Sequence, residues 1–169
     1  MTVAYVGIGA NLGDRERAIR TAAGLIAARR LSTVIETEPW GVTDQPPFLN
    51  AVAELETVRG PRELLDELLR VERELGRVRD GTRWGPRAID LDLLVYGAEI
   101  VDEPGLTVPH PYLAERVFVL EPLAELAPAL VVPGRGRVED LLRGLQSPYE
   151  RRRLEGVVDQ HRGSSERLA

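Results

Sequence analysis

Apolar and β-branched residues run together from Thr2 to Ile8 (TVAYVGI) and give way to a glycine cluster, which predicts a first strand. The period then lengthens: Ile19, Ala22, Ala23 and Ile26 follow the i, i+3, i+4, i+7 spacing of one helical face. Asp14 is placed to cap that helix, which should end near Arg29 and Arg30. Residues 32–37 (STVIET) predict a second strand, and residues 50–57 (NAVAELET) a third after a loop holding Gly41, Pro46 and Pro47. Pro61 suits the first turn of a second helix with Leu64, Leu65, Leu68, Val71 and Leu75 on its core face and Gly76 as terminator. Residues 89–96 are the predicted fourth strand.

The order strand, helix, strand, strand, helix, strand predicts an α+β fold, a ferredoxin-like antiparallel sheet with helices packed on one face. The other face then needs a cover or a ligand. C-terminal additions follow. From Asp102 onward proline punctuates short apolar runs and should keep helices short, while residues 138–145 predict one more short helix. No repeat or linker-like composition divides the chain, so one domain is expected over residues 1–158, with a flexible polar tail over 159–169.

Composition narrows the chemistry. A formal charge of −5 argues against nucleic acid or an anionic membrane as a partner recognised through the overall field, so any basic site must be local. The absence of cysteine removes disulfides, thiol nucleophiles and cysteine-held metals. All 22 basic residues are arginine, which excludes a P-loop lysine but leaves the side chain that pairs bidentately with phosphate. No basic leader or long apolar run is present. The expectation is a soluble, cytoplasmic, monomeric protein acting on small molecules.

Residues 7–14 (GIGANLGD) follow a strand and precede a helix, yet their third glycine is at 13 rather than 12, one place off the dinucleotide fingerprint. A tight strand-to-helix turn, lining a pocket with Asn11, is the better reading. In residues 89–93 (IDLDL) the period of two sends Asp90 and Asp92 to one face of the strand and the aliphatics to the other. Such neighbours repel unless a cation or arginines intervene. The preceding loop, residues 76–87 (GRVRDGTRWGPR), supplies Arg77, Arg79, Arg83 and Arg87 against the single acid Asp80. Carboxylates beside arginines fit a metal-bound polyphosphate, although arginines merely neutralising aspartates would give the same local pattern. Trp40 and Phe48 flank a loop near Thr37 and Asn50, a set that could cover the core or stack on a flat heterocycle and bind its edge. His110, between prolines, reads first as a turn residue.

Four segments, GIGANLGD, TEPWGVTDQPPFLNAV, ELGRVRDGTRWGPRAIDLDLLVYG and LTVPHPYLAERVFVLEPLAELAP, together resemble the hydroxymethyldihydropterin pyrophosphokinase family of folate biosynthesis. The resemblance implies transfer of a pyrophosphoryl group from ATP to 6-hydroxymethyl-7,8-dihydropterin, with two Mg²⁺ ions held by Asp90 and Asp92. It implies Arg77 and Arg87 in the chemical step, with Arg79 and Arg83 in the same loop. ATP contacts would come from Glu72, Arg79, Arg83, Trp84, Arg87, Leu93, Thr107, His110 and Arg116. The pterin would lie between Phe48 and Phe118, with Thr37 and Asn50 on its edge and the backbone near Glu38 and Trp40 beside it. The chain departs from some members at Gly105, where an arginine can stand, and at Leu69, where a polar residue can. Rival readings are a two-metal phosphodiesterase and a non-catalytic nucleotide-binding module.

Overall fold

Strand β1 (Thr2–Ala10) runs through the middle of the sheet, paired antiparallel with β4 (Phe48–Thr57) on one side and β5 (Asp90–Tyr96) on the other. The computed structural model describes residues 1–37, 46–76 and 89–145, and the backbone of 151–153 and 158–159. Beyond β4 lie β2 (Arg30–Leu31) and β3 (Ile35–Thr37), both on its outer edge. The four-strand order and the antiparallel pairing are those of the ferredoxin-like reading.

The expected second strand is interrupted. Leu31 pairs with Ala53 and Ile35 with Asn50, so the outer chain carries one residue more than β4 between these pairs, a bulge. There the Val52 N–H donates to Ser32 Oγ (2.8 Å) and the Ser32 N–H to the Val52 carbonyl (2.9 Å). A side chain thus replaces a ladder acceptor. Two further strands fall outside the periodic reading: β10 (Arg151–Arg153) extends the sheet on β3, and β11 (Val158–Asp159) on β2.

Pleating assigns the two faces. Ala4, Val6, Ile8 and Ala10 of β1 stand opposite Leu55, Ala53, Ala51 and Leu49 of β4 and join one core with Leu91 and Leu93 of β5. Helices α1 (Arg15–Leu25) and α2 (Pro61–Gly76) close this side with Ile19, Ala22 and Ala23 and with Leu64, Leu68 and Val71. Leu65 and Leu75, predicted on the core face of α2, are only partly buried against it. Each wholly buried leucine contributes about 1.5–3 kcal/mol before conformational entropy is subtracted.

Asp14 caps α1 as expected, its Oδ1 accepting from the Arg17 N–H at 3.2 Å. The helix stops at Leu25, short of Arg29, because Ala27 turns left-handed (φ 56°) and the Ala28 N–H reaches back to the Ala23 carbonyl. Ala27 is exposed and a glycine there would lack the Cβ clash, so Ala27→Gly should raise stability by about 1 kcal/mol in chemical denaturation.

Among the described residues, helices cover only part of the second face. Tyr5, Val52, Leu94 and Val95 form a second core with α3 (Val117–Leu126) and α4 (Val138–Arg143). Leu94 is an extra residue in β5, since Tyr5 pairs with Val95 and Val6 with Leu93. Within this core Glu54 is buried, accepting from the Tyr5 hydroxyl at 3.0 Å with Arg29 and Arg30 at 3.6 and 3.7 Å. Burial and the Glu54 carboxylate push the Tyr5 hydroxyl above its ordinary range. Helix α3 corrects the expectation of short proline-limited helices: Pro122 lies inside it. Val117, Val119, Leu120, Leu123 and Leu126 are all buried, and that packing outweighs the lost hydrogen bond.

From β5 the chain enters a hairpin of β6 (Val101–Glu103) and β7 (Leu106–Val108), turning at Pro104 and Gly105. Gly105 has φ 76°, a left-handed turn position. Beyond a second small hairpin, β8 (Val131–Val132) and β9 (Gly136–Arg137), α4 ends at Arg143, two residues short of the predicted limit. Among the described residues no helix is long and apolar enough to cross a membrane. The tail beyond Asp159 lies outside them.

Candidate active site

Where α3 and α4 do not reach, the second face shows two rows across the sheet. Gly9 is flanked by Asn50 of β4 and Asp90 of β5; Gly7 is flanked by Val52 and Asp92. The glycines of GIGANLGD are thus split: Gly7 and Gly9 belong to the strand, and only Gly13 (φ 64°) turns the chain toward α1. Asn11 is buried. Without a side chain at 9 the floor between Asn50 and Asp90 is backbone, whereas the Leu94 side chain packs over Gly7. A Cβ at Gly9 would stand 3.2 Å from Asn50 Oδ1.

The alternation read from IDLDL holds. Leu91 and Leu93 are buried in the helix-covered core, while Asp92 is exposed and Asp90 partly so. The segment is pinned from the side: Glu72 of α2 accepts the Leu91 N–H at 2.7 Å, on the free edge of β5 between the two aspartates. Glu72 therefore fixes the strand that carries the carboxylates. Among the described residues no three of His, Cys, Asp and Glu converge as a metal cage. The pair remains the candidate for a cation that takes its other ligands from phosphate and water.

Asn50 Nδ2 donates to Thr37 Oγ1 at 2.8 Å, and Thr37 is buried opposite Phe48 at the end of the β3–β4 ladder. This bond orients the amide so that Oδ1 faces the Gly9 floor. Phe48 is half-buried on the same face. Phe118 is in the first turn of α3, which packs over β4. Thr37, Phe48 and Asn50 share this face of the sheet, and Phe118 packs from α3 against the second core.

A cavity of about 260 Å³ opens at the β5 edge, lined by Asp92, Leu93, Thr107 and His110 with Leu65 and Leu106. Val108 and Pro109 are joined by a cis peptide bond, and the His110 N–H donates to the Leu94 carbonyl at 2.9 Å, which docks the hairpin on the bulge. His110 is more than a turn residue. Burial pulls its imidazole below the ordinary range; the Asp92 carboxylate opposes that shift and the Arg116 cation reinforces it. Its Nδ1 accepts the Tyr112 N–H at 3.2 Å, so the neutral ring keeps its proton on Nε2.

Arg116 stands just before α3, its guanidinium 5.2 Å from the Tyr112 ring centre and 5.7 Å from that of Phe118. It thus lies near two aromatic rings. Leu69 is on the exposed side of α2. Glu38, Trp40, Arg77, Arg79, Arg83, Trp84 and Arg87 lie outside the described residues. Sequence reasoning missed that Gly7 and Gly9 lie within the strand, for which the signal was a glycine at every second place. It also missed Tyr112.

The profile of a family described as 7,8-dihydro-6-hydroxymethylpterin-pyrophosphokinase (HPPK) matches residues 5–128. A 2-amino-4-hydroxy-6-hydroxymethyldihydropteridine pyrophosphokinase of Methylorubrum extorquens is 45% identical over 158 residues, covering 89% of this chain and 99% of that protein. Proteins of the same name from Bacillus subtilis and Pseudomonas aeruginosa are each 44% identical, covering 73% and 86% of this chain and 77% and 92% of theirs. Among solved structures, wild-type Plasmodium falciparum HPPK-DHPS superposes with a TM-score of 0.62 at 13% identity. That match covers 85% of this chain and 43% of the longer Plasmodium polypeptide, a likeness of fold.

Proposed function

Because the chain belongs to the 7,8-dihydro-6-hydroxymethylpterin-pyrophosphokinase family, we propose that the uncovered half of its second sheet face is where it carries out the family's reaction. A pyrophosphoryl group passes from ATP to the hydroxymethyl oxygen of 6-hydroxymethyl-7,8-dihydropterin, a step of folate biosynthesis. The substrate oxygen bonds to the β-phosphorus, the bond from that phosphorus to the α-phosphate oxygen breaks, the hydroxyl proton is released, and AMP leaves. One observation carries the placement: Asp90, Asp92 and the Asn50–Thr37 pair share one face of the sheet, with side-chain-free Gly9 between Asn50 and Asp90.

Each group has a role that its position supports. Thr37 and Asn50 offer a hydroxyl and an amide to the edge of a heterocycle, with Phe48 and Phe118 as apolar walls. The cavity beside Asp92 suits the nucleotide, with Leu93, Thr107 and His110 in its lining and Arg116 nearby. Glu72 acts through β5 by holding its edge. Asp90 and Asp92 would hold magnesium, whose charge when bound would neutralise and align the triphosphate oxygens. Arg77 and Arg87 are assigned to the chemical step, and Arg79, Arg83 and Trp84 to the nucleotide. Glu38 and Trp40 are assigned to the pterin. Transfer by positioning and charge neutralisation needs no dedicated nucleophile, which suits this inventory. We read the protein as a cytoplasmic monomer.

The test is direct. Incubated with ATP, Mg²⁺ and 6-hydroxymethyl-7,8-dihydropterin, the protein should form AMP and the pterin diphosphate in equal amounts. ADP as the nucleotide product, or nucleotide binding without turnover, would sink the reading and favour another phosphotransferase or a regulatory module.

A further inference from the structure

We infer that Tyr112 is a positioning residue for the nucleotide: it holds Arg116 close to His110, which lines the β5-edge cavity, and thereby ties nucleotide binding to Phe118. This rests on the reading of Arg116 and His110 as nucleotide contacts. Tyr112 precedes the single turn Leu113–Glu115 and is 53% exposed, so the core does not require its ring.

Three contacts converge on it. The Arg116 guanidinium lies over its ring at 5.2 Å, the His110 ring centre is 6.0 Å away at an interplanar angle of 56°, and its N–H fixes His110 Nδ1. The same guanidinium lies 5.7 Å from the Phe118 ring centre. Among the described residues Arg116 forms no ion pair, so aromatic faces rather than a carboxylate hold this cation. That choice has a chemical consequence: a guanidinium held by rings keeps its donors for an anionic ligand, whereas one bound to a carboxylate has already spent them.

The experiment compares Tyr112→Ala, Tyr112→Phe, Arg116→Ala and the double variant Tyr112→Ala/Arg116→Ala, measuring kcat, the KM for each substrate, melting temperature and Kd for a nonhydrolysable ATP analogue. Tyr112→Ala should raise the ATP KM and the analogue Kd about two- to five-fold, the range an exposed cation–π contact supports, with kcat and melting temperature little changed. Tyr112→Phe, which keeps the ring face, should behave as the parent. In the Arg116→Ala background the tyrosine change should add nothing. Silence of Tyr112→Ala while Arg116→Ala weakens ATP, failure of phenylalanine to rescue, or full additivity in the double variant would each overturn the positioning role. If Arg116→Ala itself leaves ATP binding unchanged, the assignment of Arg116 to the nucleotide fails first, and this inference with it.

Discussion

Asp92→Ala should lower turnover by about a thousandfold or more, equivalent to some 4 kcal/mol of lost transition-state stabilisation, while the protein still folds. The side chain is exposed on the open face of β5, and its neighbours Leu91 and Leu93 keep the strand in the core. Removing one of two adjacent carboxylates also relieves repulsion, so the melting temperature should hold or rise slightly. The second reading is binding: magnesium with an ATP analogue should raise the melting temperature of the parent but not of the variant. Near-parental turnover in Asp92→Ala would refute the metal-ligand role.

Gly9→Val should cost the pterin rather than the nucleotide. A Cβ at this position already approaches Asn50 Oδ1 to 3.2 Å, and the branched methyls would fill the floor between Asn50 and Asp90. Valine suits an extended strand, and Gly9 does not have a left-handed φ, so the backbone tolerates the change. Displacing the edge-binding amide by about 1 Å is enough to cost on the order of a hundredfold in kcat/KM for the pterin. Binding of the ATP analogue, on the far side of β5, should be unaffected. Equal weakening of both ligands would show that the floor does not belong to the pterin alone.

Much of this was legible in the chain because periodicity records which side chains a fold must bury. IDLDL separates its carboxylates from its aliphatics by parity, and the apolar face of α2 contains Leu64, Leu68 and Val71 as the spacing predicts. Parity does not reveal where it is broken. The bulges opposite Val52 and at Leu94 arise from cross-strand pairing, which no local window contains. Pro122 misled for a related reason: local propensity argues against a helix that tertiary burial nonetheless sustains. Gly7 and Gly9 look like a turn motif in a one-dimensional reading. Only their cross-strand partners, Asn50, Asp90 and Asp92, show them to lie within the strand on the face of the candidate site.

The Leu94 bulge bears on how this protein can change over generations. Upstream of it, β5 sends its odd-numbered places to the core and its even-numbered places to the opposite face, and the extra residue ends that alternation where α3 begins to cover the sheet. Substitutions at 90 or 92 therefore test catalysis without threatening the fold, and substitutions at 91 or 93 do the reverse. A single inserted or deleted codon between 90 and 93 would exchange the two inventories at once, turning aspartates into the core and leucines toward solvent. Reading-frame-preserving indels should thus be lethal in this stretch even where individual replacements survive. A deep mutational library that includes them would show that asymmetry as a gap four codons wide.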